Sequence, residues 1–196
     1  MVSGRTTERV ARANPVVDRV CVDEQRTGPG PARNMGASEA GGEILLFTDA
    51  DTVVPATWVR RHRRHYTTPS VRGVGGPLRP LEDGLRHRAC FHVLSDWWYR
   101  ACWPVGFVQQ PGPNCSVRRT AFERIGGFDE SLRFLEDTDL SLRLHRDGTV
   151  VDDHTCPVAT STRRQQRVGY GRLFATYLLG YLEYALPGRS PSKPYF

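Results

Sequence analysis

Residues 43–55, EILLFTDADTVVP, constrain this chain more than any other stretch. Ile44, Leu45, Leu46 and Phe47 make a short unbroken apolar run, the pattern of a buried strand. Asp49 and Asp51 follow at once, with only Ala50 between them. Two like charges at the mouth of a buried strand are costly unless something pairs them. In open α/β sheets, ligands collect beyond the carboxyl ends of the strands. The two acids therefore either cap the turn or hold a ligand there. The fitting ligands are a hard divalent cation, Mg²⁺ or Mn²⁺, or a sugar hydroxyl. For a bare Asp-Ala-Asp tripeptide the turn reading is the simpler one.

The flanking segments predict an α/β domain. VDRVCVDE, 17–24, has strand composition, and RTGPGP, 26–31, is punctuated as a loop. ARNMGASEAGG, 32–42, reads as a short helix stopped by glycine, ahead of the strand at 43–48. Strand, helix, strand in that order points to parallel pairing. Further helices are expected at 55–66, 85–101, 120–127 and 138–148, and a further strand at 71–78. Thr120 and Glu123 have the spacing of a capping box. On the 55–66 helix, Trp58, Val59, His62 and Tyr66 share one face, while Arg60, Arg61, Arg63 and Arg64 make a solvated basic one.

With 196 residues and 39% hydrophobic content, the chain can bury a real core. The formal net charge is +6, and of the 27 basic residues only Lys193 is lysine. The arginines are spread along the chain with no aromatic-interleaved RNA motif, which argues against nucleic acid. Five cysteines without a CxxC pair fit a reducing compartment better than a zinc site or a disulfide framework. No apolar run reaches membrane-span length, and the first residues have no apolar signal core. A second acidic cluster, FLEDTDLSLRL, puts Glu136, Asp137 and Asp139 at a helix start. There they can compensate the helix dipole, or one can act as a general base toward an acceptor hydroxyl.

Taken together, GPGPARNMGASEAGGEILLFTDADTVVP and GPNCSVRRTAFERIGGFDESLRFLEDTDLSLRL closely resemble family 2 glycosyltransferases of the GT-A fold, over about residues 1–170. The resemblance implies a mainly parallel mixed sheet flanked by helices, spanning 1–165, with a C-terminal helix and tail at 166–196. It implies metal-dependent, inverting transfer from a nucleotide-sugar donor to a glycan or lipid-linked acceptor. Asp49 and Asp51 match the DxD motif that holds Mg²⁺ or Mn²⁺ on the donor diphosphate, and Asp137 matches the base. Glu136 would shape the acceptor side. Arg33, Asn34 and Asn114 would bind donor or acceptor, and GGFDE, 126–130, would be the turn closing the site.

The chain departs from the family at its start. SGRTTERV, 3–10, stands where an acidic turn contacts the base, with Ser3 in place of the acid, and the usual first strand and helix do not precede it. An N-terminal truncation is the expectation, and a non-catalytic domain that binds a glycan or partner is the alternative function. RRQQRVGYG holds Gln165, but its Arg167-Val168 spacing is not the Q-x-x-R-W motif of processive members. His154 reads as an ordinary strand-end histidine rather than a third metal ligand. The last helix sets Phe174, Leu178 and Leu182 beside Leu173, Tyr177 and Tyr181, downstream of Arg163, Arg164, Arg167 and Arg172. That pattern fits packing on the domain or contact with a membrane surface. The expected location is cytoplasmic, at most peripheral on the cytoplasmic face of the membrane.

Overall fold

The computed structural model describes residues 5–23 and 28–185. Ser3, Glu24, the first two residues of the 26–31 loop and the tail at 186–196 lie outside the described residues.

The apolar run forms β1 (Ile44–Phe47), and its alternate residues Leu45 and Phe47 are buried. It pairs antiparallel with β5 (Cys115–Arg118), which pairs antiparallel with β3 (Val71–Gly75). β3 in turn runs parallel to β6 (Thr149–Asp152), giving the order β1-β5-β3-β6. A smaller sheet holds β2 (Thr52–Val53), β7 (Val158–Thr160) and β4 (Leu78–Pro80), with β7 parallel to β4 and antiparallel to β2. The architecture is the expected mixed α/β one. Its parallel share is smaller than expected, because residues 17–23 form no strand. Val17 and Val22 are exposed there, and β propensity without a ladder to join does not make a strand.

Among the described residues the helices are α1 (Arg5–Ala13), α2 (Pro29–Glu39), α3 (Trp58–His65), α4 (Leu85–Phe91), α5 (Trp98–Cys102), α6 (Arg119–Arg124), α7 (Glu136–Asp147), α8 (Arg163–Val168) and α9 (Tyr170–Ala185). Of these, α3, α6 and α7 pack on the larger sheet and α4 on the smaller. A π-helical stretch, His92–Trp97, joins α4 to α5, so the helix expected at 85–101 is present with a widened centre. The Thr120–Glu123 capping box does not form. α6 begins at Arg119, and no side chain caps it.

One core cluster, with Leu45, Phe47, Val117, Phe122, Phe128, Leu140 and Leu144, lies against β1 and β5. Phe47 meets Phe128 edge-on, with ring centroids 5.2 Å apart. On α3 the face works as expected for Trp58, His62 and Tyr66, which are buried; Val59 is exposed. The basic face is partly tied down, since Arg64 donates to Asp153 at 3.0 Å and Arg61 to the Thr155 carbonyl. The five cysteines are all unpaired.

Candidate active site

β1 ends at Phe47, and the chain turns through Asp49 to Asp51, with Thr52 N–H donating to the Asp49 carbonyl at 3.1 Å. This turn forms one wall of a cavity of about 230 Å³. The segment before β5, Gln109 to Pro113, forms a second wall, and the first turn of α7 a third. Arg33 of α2 enters from one side, and the α5–α9 pair closes another.

Arg33 ties the two acidic segments together. Its guanidinium donates to Glu136 Oε1 at 2.7 Å and to Asp49 Oδ1 at 2.9 Å, across a sequence separation that only the fold could close. It also sits 5.5 Å from the centre of the Phe128 ring. Burial works against its charge, but Glu136, Asp49 and Asp137 more than offset this and hold its pKa above the usual value. Gly112 packs closely beside it: a Cβ there would lie 2.6 Å from Arg33 Nη2, so the guanidinium would have to shift.

Glu136 and Asp137 differ although adjacent. Glu136 is buried on Arg33, and burial, with Asp137 next to it, holds its carboxyl well above the ordinary range. Asp137 is half-buried on the cavity wall. Its Oδ2 accepts from Gly112 N–H at 2.9 Å and its Oδ1 from Thr138 N–H at 2.8 Å. Asp137 therefore does part of the capping and also faces the cavity. α7 starts two residues earlier than expected because Leu135 takes a left-handed conformation, φ 63° and ψ 23°. For a branched side chain that costs roughly 1–3 kcal/mol and is held only by its surroundings. Asp139, expected beside these acids, instead pairs with Arg143 and accepts from Tyr184 at 2.8 Å.

Asp51 accepts from Arg163 at 3.1 Å, an exposed pair of the kind that is worth little and easily exchanged. Among the described residues no group of three His, Cys, Asp or Glu is placed to hold a metal alone. Two carboxylates on one cavity wall do suit a hard cation shared with substrate phosphates. His154 is exposed in the turn after β6, 3.3 Å from Asp152, and does not line the cavity.

Two expected ligand contacts fall elsewhere. Asn114 is fully buried, and its amide is used within the protein. Oδ1 accepts from Trp58 at 2.9 Å and lies 3.1 Å from His62 Nε2, while Nδ2 donates to the Cys156 and Pro77 carbonyls. It locks α3 to the strand ends and does not face the cavity. Asn34 brackets the 126–130 turn, accepting from Phe128 N–H and donating to the Phe128 carbonyl, both at 2.9 Å. Gly127, φ 71°, makes room: a Cβ would come within 2.7 Å of Asn34 Oδ1. The residue that sequence reasoning missed is Gln109. It is buried on the cavity wall, donates to Thr138 Oγ1 at 2.9 Å, and leaves its Oε1 without a partner. An amide pair closing the apolar run VGFV was its one signal.

The fold is that of known GT-A enzymes. A mannosyltransferase from Pyrobaculum calidifontis, solved with GDP-Man and Mn²⁺, superposes with a TM-score of 0.58 at 21% identity, over 88% of this chain and 50% of that one. Staphylococcus aureus TarS superposes at 0.50 and 16% identity, over 81% of this chain and 28% of that one. The chain belongs to Glycosyl transferase family 2, whose family model matches residues 8–126. It is 29% identical over 129 residues to the pre-mycofactocin glycosyltransferase of Mycobacterium tuberculosis, covering 62% of this chain and 27% of that protein. It is 29% identical over 133 residues to the O-antigen biosynthesis protein RfbC of Myxococcus xanthus, covering 59% and 10% respectively. The chain thus spans a small part of the length of these relatives. No helix among the described residues is long and apolar enough to cross a membrane.

Proposed function

We propose that this chain transfers a sugar from a nucleotide-sugar donor to an acceptor hydroxyl, with inversion. The observation that carries the reading is that one cavity gathers Asp49, Asp51, Arg33, Glu136 and Asp137 from three distant segments. Asp137, half-open to the cavity and oriented by two backbone N–H groups, takes the proton from the acceptor hydroxyl. The freed oxygen attacks the anomeric carbon as the bond to the diphosphate breaks, and a nucleoside diphosphate leaves. Arg33 holds Asp49 and Glu136 in register around that position. Asp51, with Asp49 in support, would hold a divalent cation, which when bound offsets charge on the diphosphate. The cavity wall supports this through its oxygen-only donor set.

The acceptor is a glycan or a lipid-linked carrier, and the O-antigen biosynthesis name of the Myxococcus xanthus relative supports the glycan. The outward face of α9, with Leu179 and Leu182 exposed, and the nearby Arg163 and Arg167 support peripheral contact with a membrane. The test is release of nucleoside diphosphate from UDP-, GDP- and dTDP-sugars with Mn²⁺. Turnover is expected for at least one donor and lost in Asp137→Asn. Turnover unchanged by that substitution would remove Asp137 from the chemistry.

A further inference from the structure

Hydrogen bonds fasten the segment before β5 to the first turns of α7. Gly112 N–H donates to Asp137 Oδ2, Gln110 N–H to Ser141 Oγ, and Gln109 Nε2 to Thr138 Oγ1, each at 2.9 Å. Each of the two hydroxyls, having accepted, still has its own hydrogen to give. Ser141 gives it to the Asp137 carbonyl at 2.6 Å. Thr138 Oγ1 lies 3.5 Å from Asp137 Oδ1, the same carboxylate oxygen that the Thr138 N–H holds at 2.8 Å. Gln109 and Thr138 are both buried. A leucine would fill the space of Gln109 without stranding an oxygen, yet the amide is there with Oε1 unpartnered. Packing alone does not explain that choice, whereas the need for a donor to Thr138 does.

Resting on the reading of Asp137 as the base, we infer that Gln109 is a positioning residue for it and acts through Thr138. By filling an acceptor position of the Thr138 hydroxyl, Gln109 leaves that O–H aimed at Asp137 Oδ1. A hydrogen bond to the carboxylate favours its charged form. It keeps the base ionised and fixes the rotation of its side chain. The other groups facing Asp137 are Glu136 on its own helix, Arg33 from α2, Cys115 from β5 and Tyr181 from α9. Across the cavity stand Asp49, Asp51 and Arg164. None of these is altered in the variants below, so a change at Asp137 reads the Thr138 contact.

The test reads the carboxylate itself, without nucleotide, metal or acceptor. The full chain, labelled with ¹³C-aspartate, is titrated with pH by NMR, and the Asp137 signal is identified by its loss in Asp137→Asn. Gln109→Met keeps the volume and removes the donor. It should raise the Asp137 midpoint by about half a pH unit or more, because a carboxylate that loses a hydrogen bond to its charged form protonates more readily. Thr138→Val should raise the midpoint at least as far, and Thr138→Ser, which keeps the hydroxyl, should leave it at the wild-type value. Adding Gln109→Met to Thr138→Val should raise it no further. Gln109→Leu takes the place of Gln109→Met if that variant does not fold. Ser141→Ala loosens the same junction without touching the Thr138 hydroxyl and should leave the midpoint unmoved. An unmoved midpoint in Gln109→Met would overturn the inference, as would additive shifts in the double variant, which mean separate action. So would an equal shift in Ser141→Ala, which would mean that the whole segment has come loose. Nucleoside diphosphate release in Asp137→Asn, measured separately, reports on the base assignment alone.

Discussion

Asp137 accepts a hydrogen bond on each carboxylate oxygen, so its two roles can be separated by substitution. Asparagine keeps one acceptor and turns an NH₂ toward the other donor. Asp137→Asn should lower turnover by roughly two to four orders of magnitude. It should cost about 1–3 kcal/mol, the penalty of one unmade buried hydrogen bond, or a few degrees in thermal unfolding at this size. Loss of activity accompanied by global unfolding would show that the residue is chiefly a cap. Arg33 makes a second test. Arg33→Ala leaves Glu136 buried without its partner, which costs about 3–5 kcal/mol in comparable pairs. Adding Glu136→Gln should recover much of that loss in denaturant unfolding, because the uncompensated charge goes. If the double variant is no more stable than the single one, the Arg33–Glu136 pair does not carry the coupling. At this scale the sequence was legible where a side chain must face the cavity whatever the packing, as for Asp49, Asp51 and Asp137 at their element ends. It was not legible for Asn114 and Asn34, whose amides turn into the protein. Only tertiary packing fixes that choice.

The elements were legible where period and punctuation agree, as in β1, α2 and α7, and were misplaced where a local signal had a competitor. Thr120 and Glu123 have capping-box spacing, but the helix starts at Arg119 and the box cannot close. The start of α7 depends on the left-handed Leu135, which no propensity favours. The docking of α3 carries a pH signature. His62 is fully buried between Ser116 and Asn114, and burial holds its imidazole down to about 4. The unfolded chain takes up this proton near pH 6.5 and the folded chain only near 4. Stability from His62 is therefore full above pH 6.5 and is lost as pH falls from there toward 4. Glu136, raised in the folded state, acts with the opposite sign, stabilising at lower pH and losing that contribution as pH rises. The contribution of His62 must then be read as the difference in pH slope between the wild type and His62→Gln. An NMR titration of the His62 ring gives a direct check. A midpoint near 6.5 would mean that the imidazole is solvated.

For the whole molecule, the sheet brings together acids more than 80 residues apart: Asp49 and Asp51 at the end of β1, and Glu136 and Asp137 at the start of α7. Arg33 is the bridge between them. The mixed strand order was only partly legible, because antiparallel pairing of β1 with β5 depends on contacts across seventy residues of chain that no local pattern records. On the proposed function, this gathered set of carboxylates takes a nucleotide sugar together with a divalent cation. Calorimetric titration of the full chain with UDP-, GDP- and dTDP-sugars, with and without Mn²⁺, tests it most directly when repeated on Asp51→Ala. At least one donor is expected to bind only when Mn²⁺ is present, and Asp51→Ala to lose this dependence. Donor binding that is indifferent both to Mn²⁺ and to Asp51→Ala, or no binding of any donor, would contradict it.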